Sequence, residues 1–569
     1  MTADQVKNSR AEFKKAVDAL APFKRYMDVY TSQWFGNAVR TTGKGKGRTD
    51  VSPALEFLRS GDSEEWAKAS NKFKLPTEWK GVAATALAAA DEKRFFHWEL
   101  EYPEIFYGHR PGTTQALERL DGAGFDAVIG NPPYDVLVSD EIGYDVSPDL
   151  AFYNSAETYA PAMRGASNLY KLFICRGASV TKTKGAFSFI VPMSLLGDDQ
   201  SVDMRRYLLN KMALTVIEAF PQKDEPDNRV FQEAKLSTVI FVAKATSDKA
   251  RFLVRTHPGK LIEKSSLSLA ISPEEIVKFD AANLLIPSCT PRDWEIAVSL
   301  LSRKIIRLGK VARCFRGDME QTKEIRAGTL GPSKKGPLVL RGANITLYAV
   351  REASQGEDLF LDVDKFMKQA GDKTKASLNY GKRKIGYQRS SPQNNFRRII
   401  AAPVPKNDFC FDTVSYVTED SSKIDLNLLL VLLNSKILDW YFRLGSTNSK
   451  VNEYQFNTLP VPTFSDKDPS VDWQSLVKAG QWVKAGDLLR SVCNEPGVVP
   501  KPVQESLVEM CRQIQKIETA RVLKNRSERS QLAPESQPIQ DAIDKVLFRC
   551  YGLSDEEAGY INKRLEEML

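Results

Sequence analysis

The sequence predicts an α/β protein: a partial, wound, Rossmann-like sheet preceded by a helical region and followed by a mixed α/β segment and a helical C-terminus. Two observations predict it. From about residue 115, short apolar runs (FDAVIG, GAFSFIVP, LTVIEAF, LSTVIFVA) alternate with amphipathic stretches such as SNLYKLFICRGASV and MRRYLLNKM. That is the pattern of buried strands joined by covering helices. On either side of this region apolar residues recur at three-to-four spacing, the period of a helix face. With 569 residues, 42% of them hydrophobic, the chain exceeds one ordinary core and provides for about three or four domains.

Residues 1–114 are expected to be helical, from AEFKKAVDALAPFKRYMDVYTSQWFG and WKGVAATALAAADEKRFFHWEL. The TTGKGKGRTDVSP loop between them offers Gly43, Gly45 and Gly47, but no strand precedes them and no GK[ST] ending follows, so they do not make a phosphate cradle. Residues 115–250 carry the wound sheet, with its last two strands, LTVIEAF and LSTVIFVA, expected as an antiparallel edge pair. A boundary near 250 is expected where ATSDKARFLVRTHPGK turns polar. Residues 251–305 read as connecting helices. Residues 306–465 read as a mixed domain of short strands (GPLVLRGANITLYAV, KIGYQRS, RRIIAAPV, DTVSYV) closed by the helix LNLLLVLLNSKILDWYFRLG, whose apolar face belongs to a core. In the helical region 466–569, Val503, Leu507, Met510, Ile514 and Ile517 are spaced as a packing seam.

Composition excludes several classes. No run approaches the ~20 apolar residues that span a bilayer, and the N-terminus lacks a signal-peptide core, so a soluble, cytoplasmic protein without a membrane partner is expected. Seven cysteines without a CxxC pair and three histidines indicate neither a disulfide framework nor a metal site. The net charge is +8, yet residues 311–400 hold 18 Lys and Arg against 9 Asp and Glu. A basic segment in an otherwise balanced chain fits a polyanion-binding module, or a solvated basic face.

Asn131-Pro132-Pro133-Tyr134 follows the apolar run AVIG, which places it at the C-terminal end of a strand expected to be central, where open α/β sheets bind ligands. Two prolines cannot continue a strand ladder and fix the direction in which the chain leaves. The asparagine side-chain oxygen and the carbonyl of the following proline are two rigidly aimed acceptors. They can hold both hydrogens of an exocyclic amine and draw it toward tetrahedral geometry. Tyr134 adds an aromatic face for a base.

FDAVIGNPPYDVL resembles motif IV of the amino-methyltransferases. FHWELEYPEIF upstream, then SNLYKLFI, GAFSFIVPMSLL and RVFQEAKLSTVIFV downstream, resemble the adenine-specific (N6) DNA methyltransferases of fused restriction-modification and phage-defence type. The resemblance runs over nearly the whole chain. It implies transfer from S-adenosyl-L-methionine to an adenine flipped out of double-stranded DNA. It also implies a catalytic role for Asn131, Pro132, Pro133 and Tyr134, cofactor contacts at Asn131 and Pro133, and stacking of the flipped base by Phe231 opposite Tyr134. Residues 306–465 resemble a target-recognition domain. Arg341, Lys382, Arg383, Lys384, Arg389, Arg397 and Arg398 are then the expected DNA-binding cations, and Gln388, Gln393, Asn394 and Asn395 can reach base edges. The same tetrapeptide also serves protein-glutamine and RNA methylation, which would leave the recognition-like segment unexplained.

The family's D-x-F-x-G-x-G cofactor loop is not found ahead of Asn131. Asp121-Gly122-Ala123-Gly124 precedes a strand instead of following one and reads as a turn. Three readings stay open: a split enzyme whose cofactor half comes from a partner protein subunit, a truncated methylase, and a non-catalytic DNA-specificity subunit. In each, this chain alone is expected to bind S-adenosylmethionine weakly or not at all.

Overall fold

The computed structural model describes residues 3–42, 49–69, 74–109, 112, 114, 117–221, 225–263, 267–332, 336–352, 356–371, 373–393, 395–447, 449–524 and 527–567. Gly43, Gly45 and Gly47 lie outside them. The chain is α/β and divides into two compact units. One comprises Met1–Pro192, Gln200–Ile217 and Ile240–Ala250, the other Met193–Asp199, Glu218–Val239 and Arg251–Leu569.

The first unit begins with the helices α1 (Ala3–Thr31), α2 (Pro53–Arg59), α3 (Gly61–Ala69) and α4 (Thr77–Lys93). Their apolar stripes close over Val29, Ala54, Phe57, Trp66, Ala83 and Ala86. The start of α2 is set by Ser52, whose hydroxyl accepts the Leu55 N–H at 3.3 Å, with a proline in the first turn. Asp28, buried on α1, accepts from Lys24 and His97 at 2.8 Å each, which ties the first helix to the segment leading into the sheet.

That sheet includes β1 (Phe125–Gly130), β2 (Thr181–Pro192), β3 (Ala213–Phe220) and β4 (Thr238–Lys244), neighbours in the order β3–β4–β2–β1, with two further strands beyond β3. Helices α5 (Leu169–Val180) and α6 (Val202–Lys211) link them. β1 and β2 run parallel, with Ala127 opposite Ala186 and Gly130 opposite Phe189. The turn read at residues 121–124 is present: Gly122 has φ +64°, and its carbonyl accepts the Thr183 N–H at 2.9 Å.

Against the expectation of a central strand, the end of the sheet order is where the motif-bearing strand β1 lies. The apolar run FDAVIG reads as a strand buried on both faces, yet Asp126, Ala127 and Ile129 are exposed, Ile129 by 86%. A run of apolar residues reports a preference for burial; it does not count the strand's neighbours.

In the second unit, β5 (Phe252–Thr256) and β6 (Leu267–Ile271) pair antiparallel. The His257 N–H donates to Ala219 O at 2.9 Å, so β5 runs beside the end of β3. β3 and β4 are neighbours as expected, but β3 is not a sheet edge. Helix α7 (Pro291–Leu301) starts with a capping box between Thr290 and Asp293. Buried Asp293 also accepts the Trp440 indole N–H at 2.8 Å. An antiparallel sheet follows, β7 (Ala312–Arg316), β8 (Lys384–Gln388), β9 (Ala401–Val404) and β10 (Val414–Ser422), in the order β7–β10–β8–β9.

The helices α8 (Leu426–Leu433) and α9 (Lys436–Leu444) are core, as their composition predicts; every residue of α8 is buried. In α10 (Lys501–Ala520) the seam holds, with Val503, Leu507, Met510 and Ile514 buried and Ile517 half-buried. α11 (Gln537–Cys550) completes the described core. All seven cysteines are buried, and Cys493 and Cys550, far apart in sequence, meet with their Sγ atoms 3.2 Å apart. Among the described residues no helix is long and apolar enough to cross a membrane.

Candidate active site

The end of β1 is shaped by a ring that takes the room of two absent side chains. Phe189 on β2 is buried against Gly130 and Gly177. A Cβ at Gly130 would lie 2.8 Å from its ring, and one at Gly177 2.6 Å. Glycine at both places lets strand and helix close around it. At its start β1 is fixed by Phe125, whose ring meets Trp98 at 5.7 Å, Tyr102 at 5.2 Å and Phe106 at 6.0 Å. These aromatics belong to the FHWELEYPEIF segment.

The chain then leaves the sheet through Asn131, exposed, Pro132, buried, and Pro133, exposed. Tyr134 turns back: its hydroxyl donates to Ile190 O on β2 at 3.0 Å and lies 3.3 Å from Asn131 Oδ1. Its ring stands edge-on to Tyr170 on α5, with centroids 6.5 Å apart. Burial pushes the phenol up to about 12, so near neutral pH it is a hydrogen-bond donor and not a base. The following residues are strapped to the start of α5, with the Leu169 N–H on Asp135 O and the Leu137 N–H on Ser167 O, both 2.9 Å.

The motif residues therefore stand together at a strand's C-terminal end, where Asn131 is exposed and its side-chain oxygen lies beside the Tyr134 hydroxyl. Sequence reasoning missed Tyr170 and the Ile190 carbonyl as the groups that orient Tyr134. Tyr170 lay inside the quoted SNLYKLFI, but only the fold reveals its partner. Phe231 belongs to the other unit. It is half-buried in a turn closed by the Ala234 N–H on Phe231 O at 3.2 Å.

The structure sorts the seven expected DNA-binding cations. Arg383 is exposed; Arg341, Lys382, Arg389 and Arg397 are half-buried. Lys384 and Arg398 are 2% and 1% exposed, which corrects their assignment as phosphate contacts. Lys384 lies on β8, which has strands on both sides. Its ammonium donates to Asp408 O at 3.2 Å and sits 5.2 Å from the Tyr416 ring centroid. Arg398 packs over Phe442, with its guanidinium carbon 5.4 Å from the ring centroid, and its backbone N–H donates to Asp439 Oδ1 at 2.6 Å. Burial, with Arg443 nearby, pulls its pKa down to about 9.

Lys382 is paired with Asp420 at 2.7 Å, and Arg389 donates to Asn452 Oδ1 at 3.2 Å. The side-chain amides of Gln388, Gln393 and Asn395 donate to Ile345 O, Ser446 O and Ser391 Oγ. Asn394 lies outside the described residues.

Asn131 and Pro133 fit the methyl end of a sulfonium donor, since both are exposed at the tip of β1. Gly122 and Gly124 do not fit its nucleoside. They are closed against β2, and a Cβ on Gly124 would stand 2.5 Å from Val180 O. Among the described residues no group of three or more His, Cys, Asp or Glu is placed to hold a metal ion.

The sequence model of the Eco57I restriction-modification methylase family matches residues 54–225. No curated protein matches the chain. Among solved structures, the chain is similar to the Type IIL restriction-modification enzyme MmeI in complex with DNA, at 12% identity and a TM-score of 0.45, over 78% of this chain and 57% of that one. It is also similar to a nuclease-deletion mutant of the Type ISP enzyme LlaGI in complex with a DNA substrate mimic, at 11% identity and a TM-score of 0.36, over 69% and 42%. A third is the type I restriction-modification methyltransferase subunit from Streptococcus thermophilus, at 15% identity and a TM-score of 0.23, over 47% and 58%. The chain thus spans 57% of the length of the MmeI structure. Residues 54–225, which contain the Asn-Pro-Pro-Tyr constellation, are thus similar to the restriction-modification methylases of the Eco57I family.

Proposed function

We propose that the chain is the amine-activating part of a site-specific DNA adenine-N6 methyltransferase, working in restriction-modification or phage defence. Its substrate is double-stranded DNA and its methyl donor S-adenosyl-L-methionine. One observation carries the reading: Asn131 Oδ1 is held at the open C-terminal end of β1, with Tyr134 locked beside it by Ile190 O.

An aromatic amine is a weak nucleophile because its lone pair is delocalised into the ring. Asn131 Oδ1 accepts one amine hydrogen and the Pro132 carbonyl the other. The lone pair then localises along the direction the two prolines define, which stabilises the transition state through oriented acceptors. Tyr134 supports the base with its ring, and Phe231 is assigned the opposite face on the resemblance of its RVF segment. The bound donor supplies an electrophilic methyl group. The amine gives up its proton to solvent after it has become cationic, so no strong base is required at the site. The cofactor half is proposed to come from a partner protein subunit.

Asn131→Ala should lower methyl transfer by about 3 kcal/mol, a hundredfold or more, while leaving DNA affinity within about twofold. Substantial turnover by that variant, assembled with the same components as wild type, would remove the catalytic assignment. The competing reading is a non-catalytic DNA-specificity subunit; it predicts no methyl transfer by the wild type under any assembly.

A further inference from the structure

Lys171 carries a charge into the interior. It sits in the first turn of α5 and is 0% exposed, on a helix whose other buried residues include Leu172, Ile174 and Cys175. A buried ammonium holds its place only where hydrogen bonds replace its water shell. Its Nζ donates to Arg164 O at 3.1 Å and to Gln200 O at 3.3 Å. These two carbonyls come from segments far apart in sequence. Arg164 begins the strap 164–168 that runs into α5, and Gln200 lies two residues ahead of α6.

Other contacts join the same two segments. Gln200 Oε1 accepts the Ala166 N–H at 3.2 Å. Gly165, at φ +68°, lies so close to the Gln200 side chain that a Cβ would stand 2.9 Å from its Cγ. Arg164 is 4.0 Å from Asp203 of α6, and the Tyr170 and Ser201 hydroxyl oxygens are 3.3 Å apart. The strap in turn holds the chain leaving the motif: Ser167 O accepts the Leu137 N–H, and Val136 bridges Asn168 antiparallel. Two routes therefore lead from Lys171 to Tyr134, one through the strap and residues 135–137, the other through the Tyr170 ring that Tyr134 meets edge-on.

We infer that Lys171, together with Gln200, is a positioning residue for the site at Asn131 and Tyr134. Its ammonium clasps the strap to the segment ahead of α6, and so fixes the direction in which the motif leaves β1. An apolar side chain at this place would fill the same volume but could not tie two carbonyls from two segments at once. Reacting groups misplaced by a fraction of an ångström lose much of their rate, so the supporting contacts of a site matter as the site does. The inference rests on the amine-activating reading above and assigns Lys171 no contact with substrate.

The test uses two variants, each assembled with the same components as wild type. Lys171→Met keeps the length of the stem and removes the ammonium. Gln200→Ala, at an exposed position, removes the contact to Ala166 with little burden on folding. Lys171→Met should lower kcat by about tenfold or more, and Gln200→Ala by a smaller factor, with KM for DNA within about twofold of wild type. The 2-aminopurine fluorescence change at the target position should fall in parallel. In the chain without other components, the Leu137 and Leu169 amides should exchange about tenfold faster in Lys171→Met, while those of Phe187 and Phe189 on β2 keep their wild-type rates.

Wild-type kcat in Lys171→Met overturns the inference. So does faster exchange at Phe187 and Phe189 to the same degree as at Leu137 and Leu169, which would mark a general loosening of the sheet. Should Lys171→Met fail to fold, Gln200→Ala decides alone, and wild-type kcat with wild-type exchange at Leu137 overturns the inference. If exchange changes selectively as stated but wild type methylates no DNA, the clasp stands and the proposed function fails. If wild type methylates DNA and both variants match it, the function stands and the clasp fails.

Discussion

Tyr134 has one hydroxyl proton and two oxygens within reach, Ile190 O at 3.0 Å and Asn131 Oδ1 at 3.3 Å. The shorter bond to the sheet leaves the asparagine oxygen's acceptor capacity for an amine. Tyr134→Phe keeps the ring and loses this anchor, so methyl transfer should fall by about 1 kcal/mol. Tyr134→Ala should in addition abolish the fluorescence change of 2-aminopurine at the target position. If both variants lose that signal equally, the hydroxyl holds the base and the ring does not. Because burial raises the phenol to about 12, Tyr134 imposes no step on a pH–rate profile below about pH 10.

A second residue-scale outcome concerns Asp408, whose carboxyl burial pushes up to about 6. Its neutral form is favoured by the fold. Stability from this group is therefore full below the unfolded value near 4 and is lost as pH rises through about 6. Asp408→Asn should stabilise the protein at pH 7.5 by on the order of 1 kcal/mol, after discounting for partial exposure, with the advantage gone near pH 4. Thermal melts at the two pH values check this; equal shifts at both would contradict it.

At the scale of elements, β8 shows why charge counting cannot locate a binding face. Lys382, Arg383 and Lys384 are consecutive, but the last opens a strand with neighbours on both sides and its stem goes inward. Acidic partners on β10, Glu419 and Asp420, meet the other two: Glu419 accepts the Arg383 N–H, and Asp420 pairs with Lys382. Arg383→Ala should therefore weaken binding to all DNA sequences and reduce the salt slope by about one counterion, whereas Lys384→Met and Arg398→Met should leave that slope unchanged. Filter binding over a salt series separates them. A reduced slope in Arg398→Met would mean that the segment opens to reach DNA.

The strand-end position of Asn-Pro-Pro-Tyr was legible because two prolines after an apolar run can hardly stand elsewhere. The edge position of β1 was not, since Ile129 looks the same in sequence whether a neighbour covers it or not. Tyr170 and Phe189 escaped for a similar reason. Their roles come from contacts across α5 and β2, and the glycines that admit Phe189 carry no pattern of their own. Gly177→Ala, which would press a methyl against that ring, should destabilise the protein by about 1–3 kcal/mol.

For the whole molecule, the wound sheet, the buried α8 and the α10 seam follow from apolar periodicity, and the family match over residues 54–225 spans the Asn-Pro-Pro-Tyr motif. Gly122 and Gly124 are closed against neighbouring backbone and side chains, so titration of S-adenosylmethionine into this chain alone should show weak binding or none. Micromolar affinity would reveal a nucleoside site within the chain.

Product identity tests whether Asn131 activates an adenine amine in duplex DNA. Nucleosides from DNA of cells expressing the chain with its native neighbours should be resolved by mass spectrometry. N6-methyladenine present with wild type and absent with Asn131→Ala is the predicted result. N6-methyladenine undiminished in Asn131→Ala, or a methyl group found only on RNA or protein glutamine, would contradict it.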